Sequence, residues 1–207
     1  NIPDIGGITF SETDGLHIGA LATMTQIATN KHVIAHYPYL AEAASYVGGR
    51  QIRNRATCVG NIVNASPLAD TATPLYCHDA VVELYSLSGK REVPIQEFIL
   101  FVRKVALKPG ELVLGIRVPY LADAKGVFRK IARRNEVDLS TVCGTVVKSG
   151  EGFRIAMGSV APTPLRLPKT EALLRGKQLT DALIAEAAAL AATEVSPIDD
   201  VRAEKQY

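Results

Sequence analysis

RATCVGNIVNASPLAD occupies residues 55–70. Between Arg55 and Asp70 it carries no charge, yet Thr57, Asn61, Asn64, Ser66 and Asp70 all supply side-chain donors or acceptors. Gly60 permits close backbone approach or an unusual φ. Exposed N–H groups at a glycine-containing turn form an anion-binding concavity. Asp70 suits acceptance of hydrogen bonds from the hydroxyls of a sugar or polyol. Together these features suit a large polar cofactor carrying phosphates and hydroxyls. A solvated connector with an Asn-rich turn satisfies the same composition.

The surrounding chain is ordinary in bulk. Of 207 residues, 47% are hydrophobic and 21% charged, so a substantial core is expected. The net charge of +2 does not suggest nucleic acid, whose binders concentrate basic residues on one face. No apolar run is long enough to predict a membrane span. Cys58, Cys77 and Cys143 are too few and too odd for a disulfide framework, which points to a reducing, cytoplasmic setting. No signal peptide is legible. The chain opens at Asn1 rather than Met, and it reads as if an upstream segment has been lost, lies outside this chain or is supplied by a separate polypeptide.

Residues 7–23 read as two strands around the Asp14-Gly15 turn, and residues 23–48 as mostly helical. Thr25 is a candidate cap, and Pro38 separates two helices. A helix is expected over 71–80 with Pro74 near its first turn. Strands follow at 80–86 and 110–120, with a helical end to 91–99 between them. Residues 126–150 read as a strand, a charged turn, and a second strand or a short helix-to-strand passage. Residues 151–167 add another strand, and helices are expected at 170–177 and 180–195, the latter capped by Thr180. The fold class is α+β, with a boundary near 121–126.

At residues 51–70, QIRNRATCVGNIVNASPLAD resembles the flavin-binding signature QIRNxATxGGNIxxASPxAD of the FAD subunits of molybdenum hydroxylases, the xanthine dehydrogenase and carbon monoxide dehydrogenase family. LHIGALATMTQIA, GELVLGIRVP, FRKIARRNEVDLSTV and GSVAPTPLRLPKTEALLRGK are similar to further family segments in the same order, so the resemblance covers essentially the whole chain. It implies the second lobe of a vanillyl-alcohol-oxidase-like FAD-binding domain over 1–121. A smaller sheet-plus-helices C-terminal domain would follow over 122–207.

The resemblance assigns residues as well. Thr57, Gly60 and Asn61 would lie along the pyrophosphate and ribityl chain, and Asn64 near the flavin. Asp70 would grip a cofactor hydroxyl and Val113 would lie against the flavin ring. Lys130, or its neighbour Arg129, would place a cation near that ring. Tyr46 would stack near the adenine or belong to the core. No catalytic side chain is implied, because the cofactor carries the chemistry. Molybdopterin and two iron–sulfur clusters would belong to partner subunits of a heteromer. NAD or another acceptor would take the electrons past the turn 132–138, where Arg133 and Arg134 would grip a phosphate or simply be solvated.

Two features depart from the family. Val59-Gly60 stands where two glycines are usual. The family's AGGTD-type loop, which binds pyrophosphate from an upstream lobe, has no counterpart in this chain, so the site it carries is expected to be half of the complete one. A scaffold without flavin and a free-standing flavin oxidase are the rival readings.

No metal centre is expected. The spacing of Cys58, Cys77 and His78 fits no zinc pattern. His32 and His36 lie four apart on a predicted helix and read as a boundary pair rather than as ligands.

Overall fold

A computed structural model describes residues 5–135 and 137–207. Asn1 and, within the charged turn 132–138, Glu136 lie outside the described residues.

The first strands, β1 (Ile8–Ser11) and β2 (Gly15–Gly19), pair antiparallel. Their turn is closed by the Ser11 hydroxyl and Asp14, with Gly15 at φ 79°. The helical stretch that follows is broken into three: α1 (Met24–Thr29), α2 (Lys31–His36) and α3 (Pro38–Ser45). Thr23, not Thr25, caps α1, forming a reciprocal capping box with Gln26. Thr25 instead donates to Asn54 at 2.6 Å. The extra break comes from Asn30, whose side chain accepts from the N–H groups of His32 and Val33 and so starts α2.

Short helices α4 (Arg50–Arg53), α5 (Cys58–Val63) and α6 (Ala72–Cys77) lead into β3 (Val81–Ser86) and β4 (Gly89–Pro94). Next come α7 (Ile95–Phe98), the small hairpin β5 (Ile99–Phe101) and β6 (Lys104–Val105), and β7 (Leu112–Val118). The second part holds β8 (Lys125–Ile131), β9 (Val142–Ser149), β10 (Gly152–Gly158) and β11 (Leu165–Arg166). It ends with α8 (Pro168–Leu174) and α9 (Asp181–Thr193).

Two antiparallel sheets result, ordered β1-β2-β7-β3-β4 and β11-β10-β9-β8. Between them lies a helical layer. Helix α5 packs on β2 and β7, whereas α3 and α6 pack on β8, β9 and β10. All six residues of α6 are buried, which its uncharged ATPLYC sequence permits.

One apolar core runs through all three layers, from Leu16, Ile18 and Ile116 to Phe128, Val147 and Ala156. It crosses the boundary placed near 121–126, so the two parts share their interior. A second cluster, Ile155, Leu167, Leu174 and Ala187, packs α8 and α9 on the far face of the second sheet. The alternation of β9 and β10 between two covered faces makes this possible.

Polar contacts tie the halves together. Asp79 bonds Arg154 at 2.6 Å and Arg166 at 3.0 Å, and Arg166 also bonds Glu171. His78 Nδ1 donates to the Pro119 carbonyl at 2.8 Å, which leaves Nε2 to accept from Tyr39. Burial pushes the His78 pKa down to about 4, so the ring is neutral in the fold.

Candidate functional site

The stretch quoted first folds mainly as α5. Thr57 is its N-cap, accepting from the Gly60 N–H at 3.0 Å. The strand-like residues before it are pinned to the start of α1. Thr57 pairs with Thr23, Met24 N–H donates to the Ala56 carbonyl, and Cys58 N–H donates to the Ala22 carbonyl. A Cβ on Gly60 would stand 2.8 Å from the Thr57 hydroxyl, so glycine keeps the cap uncrowded. The expected glycine-turn concavity is not formed. Gly60 lies within the helix, and the Cys58 and Gly60 N–H groups already have protein acceptors.

Helical geometry then sorts the side chains. Positions 57, 60, 61 and 64 recur at helical spacing and form one face, while Cys58, Val59 and Ile62 are buried on the other. The outer stripe is neutral and polar, with Gly60 and Asn64 exposed and Asn61 half-buried. Asn61 Oδ1 accepts from Thr71 at 2.7 Å. Asn64 Oδ1 accepts from Arg103.

Asp70 lies at the start of α6 and is 5% exposed. Its Oδ2 pairs with Lys130 Nζ at 2.8 Å, and its Oδ1 accepts from Ser140. Burial pushes the Asp70 carboxyl up, and the Lys130 and Ser140 bonds pull it partly back. The neighbouring Cys143 thiol is pushed up to about 12 by burial and is unreactive as a thiolate. On β8 the period of two separates the two candidate cations. Lys130 turns inward to Asp70, while the Arg129 side chain is exposed beside Glu42. Asp70 and Lys130, sixty residues apart, are thus joined by the fold.

Val113 reaches its position through a β-bulge. Glu83 pairs with Gly115 but Leu84 pairs with Val113, leaving Leu114 as the extra residue on β7. The Leu114 carbonyl accepts from Ala20 instead. Paired residues share a face, so the bulge turns Val113 to the side of buried Leu84, where it packs on the core. Strict alternation would have turned it away.

Other candidates divide. Tyr46 is 42% exposed, with its ring 6.1 Å from Phe128. Arg133 donates to the Val201 carbonyl, and Arg134 lies against Asp138. His32 and His36 both stack on Phe10, which fastens β1 to α2. Cys58, Cys77 and Cys143 are buried free thiols.

Three residues that contact the candidates were not singled out by sequence: Thr71 and Arg103 beside the stripe, and Ser140 beside Asp70. Arg103 stands at φ 59°, a left-handed conformation costing a side chain about 1–2 kcal/mol. Its N–H donates to the Ala65 carbonyl at 2.9 Å. No local pattern in FVRK announces this, because it depends on a partner 39 residues away.

The donor set fits FAD. On the exposed face of α5 it offers neutral hydrogen-bonding groups for hydroxyls and carbonyls.

Residues 1–121 match the family described as the FAD binding domain in molybdopterin dehydrogenase. The chain belongs to this family. Residues 127–207 match the CO dehydrogenase flavoprotein C-terminal domain. The putative xanthine dehydrogenase FAD-binding subunit of Escherichia coli is 33% identical over 214 residues, spanning 100% of this chain and 73% of that protein. The carbon monoxide dehydrogenase medium chain of Hydrogenophaga pseudoflava is 32% identical over 211 residues, with the same coverage.

Among solved structures, carbon monoxide dehydrogenase from Hydrogenophaga pseudoflava matches with a TM-score of 0.92, at 33% identity over 100% of this chain and 73% of that one. The enzyme from Oligotropha carboxidovorans matches at 0.93 with 29% identity and the same coverage. As a member of the FAD-binding family the chain is an oxidoreductase subunit, and its two-part α+β architecture is the one expected. No helix among the described residues is long and apolar enough to cross a membrane.

Proposed function

We propose that the chain is the flavin-bearing electron-transfer subunit of a molybdopterin-dependent hydroxylase. It would take electrons from an iron–sulfur subunit, with substrate oxidised on a molybdopterin subunit, and deliver them to NAD or another acceptor in the cytoplasm. The observation that carries this reading is the neutral polar face of α5, on which Thr57, Gly60, Asn61 and Asn64 fall in one line opposite the buried Cys58, Val59 and Ile62.

When bound, FAD supplies the chemistry, accepting electrons singly or in pairs and releasing them to an acceptor. The protein's own residues bind and tune. The stripe donates and accepts hydrogen bonds along the cofactor. Val113 gives the ring an apolar surface. On this reading Lys130, paired with Asp70, would stand near the ring and favour its more negative state. No side chain need act as acid or base. Arg133 and Arg134 would meet a charged acceptor on an exposed turn, where Arg133 bonds the Val201 carbonyl and Arg134 lies against Asp138.

The test is the visible absorption spectrum of the complex purified natively with its partners. Flavin bands superimposed on iron–sulfur absorbance are expected. Iron–sulfur absorbance without flavin would make the chain a scaffold, and flavin alone would make it a free-standing oxidase. Either result overturns the proposal.

A further inference from the structure

We infer that Arg103 and Thr71 are positioning residues. They turn the amide nitrogens of Asn64 and Asn61 outward, so that α5 offers donors to accepting atoms of the cofactor. The inference rests on the flavin reading above and deepens it.

The chemistry of the contacts decides the orientation. A guanidinium has donors and no acceptor. The Asn64 atom that meets Arg103 Nη1 is therefore the side-chain oxygen, and the amide hydrogens point the other way. Arg103 also reaches the Asn64 main-chain carbonyl at 3.4 Å. At Asn61 the same job falls to Thr71, whose hydroxyl donates to Oδ1 at 2.7 Å. Thr71 is fully buried and also meets the Cys58 thiol, so its hydroxyl has little freedom to reorient.

Among the described residues, neither Asn Nδ2 meets a protein acceptor. The two residues lie three apart on one helical face, so both NH2 groups serve the same layer.

The backbone supports the placement. Arg103 sits in the two-residue turn of the β5–β6 hairpin, at a position where φ is 59° and glycine is the ordinary choice. The chain keeps a long side chain there and ties it down twice, by its N–H to Ala65 and by its guanidinium to Asn64. A backbone outlier held from both sides points to use of the side chain rather than to accident. The result is selective. Outward NH2 groups complement carbonyl oxygens, ring nitrogens and hydroxyl oxygens, and they reject ligand atoms that can only donate.

Asn64→Asp separates this role from simple fastening. The carboxylate keeps the Arg103 contact and strengthens it by charge, but removes the outward donor. In the complete complex, Asn64→Asp and Arg103→Met should each raise the FAD dissociation constant about tenfold or more. They should also shift the visible band of the flavin that remains. Thr71→Val should act in the same direction more weakly, and Arg103→Lys should restore part of the affinity. The unfolding midpoint of Asn64→Asp should equal or exceed that of the wild type.

Wild-type FAD affinity and spectrum in Asn64→Asp would overturn the inference and leave Arg103 a fastener of the hairpin, with the flavin reading intact. A wild-type complex that binds no FAD would overturn both.

Discussion

Asp70 and Lys130 form an ion pair of 2.8 Å in which each side chain is only 6% exposed. It joins the start of α6 to β8 and so locks the helical layer to the second sheet. Ser140 completes the carboxylate's hydrogen bonding, and the Tyr46 carbonyl accepts from the ammonium at 3.3 Å. A buried pair so fully satisfied is costly to break from one side and cheap to replace from both.

Lys130→Met should therefore destabilise the protein by about 3 kcal/mol, because it strands the Asp70 carboxylate in the interior. Asp70→Asn combined with Lys130→Met should recover a large part of that loss. Denaturant unfolding of the single and double variants measures the coupling. A loss in the double variant equal to the sum of the losses in Asp70→Asn and Lys130→Met would mean the pair contributes no mutual term. Flavin content, measured separately on the native complex, should fall in Lys130→Met and in the double variant, since both lack the cation.

The His78 ring should make stability fall in mild acid. Its folded pKa is near 4, below the ordinary 6.5, so the unfolded chain binds the proton first. Stability is then fully present above about pH 6.5 and declines as pH falls toward 4, by up to roughly 3 kcal/mol from this group. His78→Phe should be less stable at pH 7.5, having lost its bonds to Tyr39 and Pro119, and should show a shallower slope between pH 6.5 and 4. Parallel slopes for the two proteins would remove His78 as the cause.

Gly126 leaves room for a ring. A Cβ there would stand 2.6 Å from two Tyr39 ring carbons and 2.8 Å from the Val146 carbonyl oxygen. Gly126→Ala should lower stability by about 1–3 kcal/mol through overpacking. Gly7→Ala, where nothing lies within 4 Å, is the control and should be near neutral in the same thermal melts.

Thr57→Ala should cost about 1 kcal/mol of stability through loss of the α5 cap, whereas Thr57→Ser should preserve it. Flavin content should follow the same order. Thr57→Ala with full flavin content would confine Thr57 to capping.

The polar, uncharged character of Thr57, Gly60, Asn61 and Asn64 was legible because they fall within eight residues, but their helix was not. The stretch reads as a glycine turn, whereas α5 puts these positions on one face. The order of strands and helices was legible for the same reason, through turns at Asp14-Gly15 and periodic apolar runs. Misreadings occurred where two polar side chains competed for one helix start. Thr23 rather than Thr25 caps α1, because Gln26 completes a box with it while Thr25 finds Asn54. The same competition at Asn30 cut one helix into two.

What the sequence by itself determined was the α+β class, the family and the chemical character of residues 51–70, since these depend on short-range pattern and composition. What only the tertiary structure decided was which groups meet. It chose Lys130 over Arg129 as the partner of Asp70, used a bulge at Leu114 to face Val113 inward, and set Arg103 and Thr71 behind the two asparagines. Each of these depends on the register between distant strands or on an unusual φ held from across the fold, and a linear pattern carries neither.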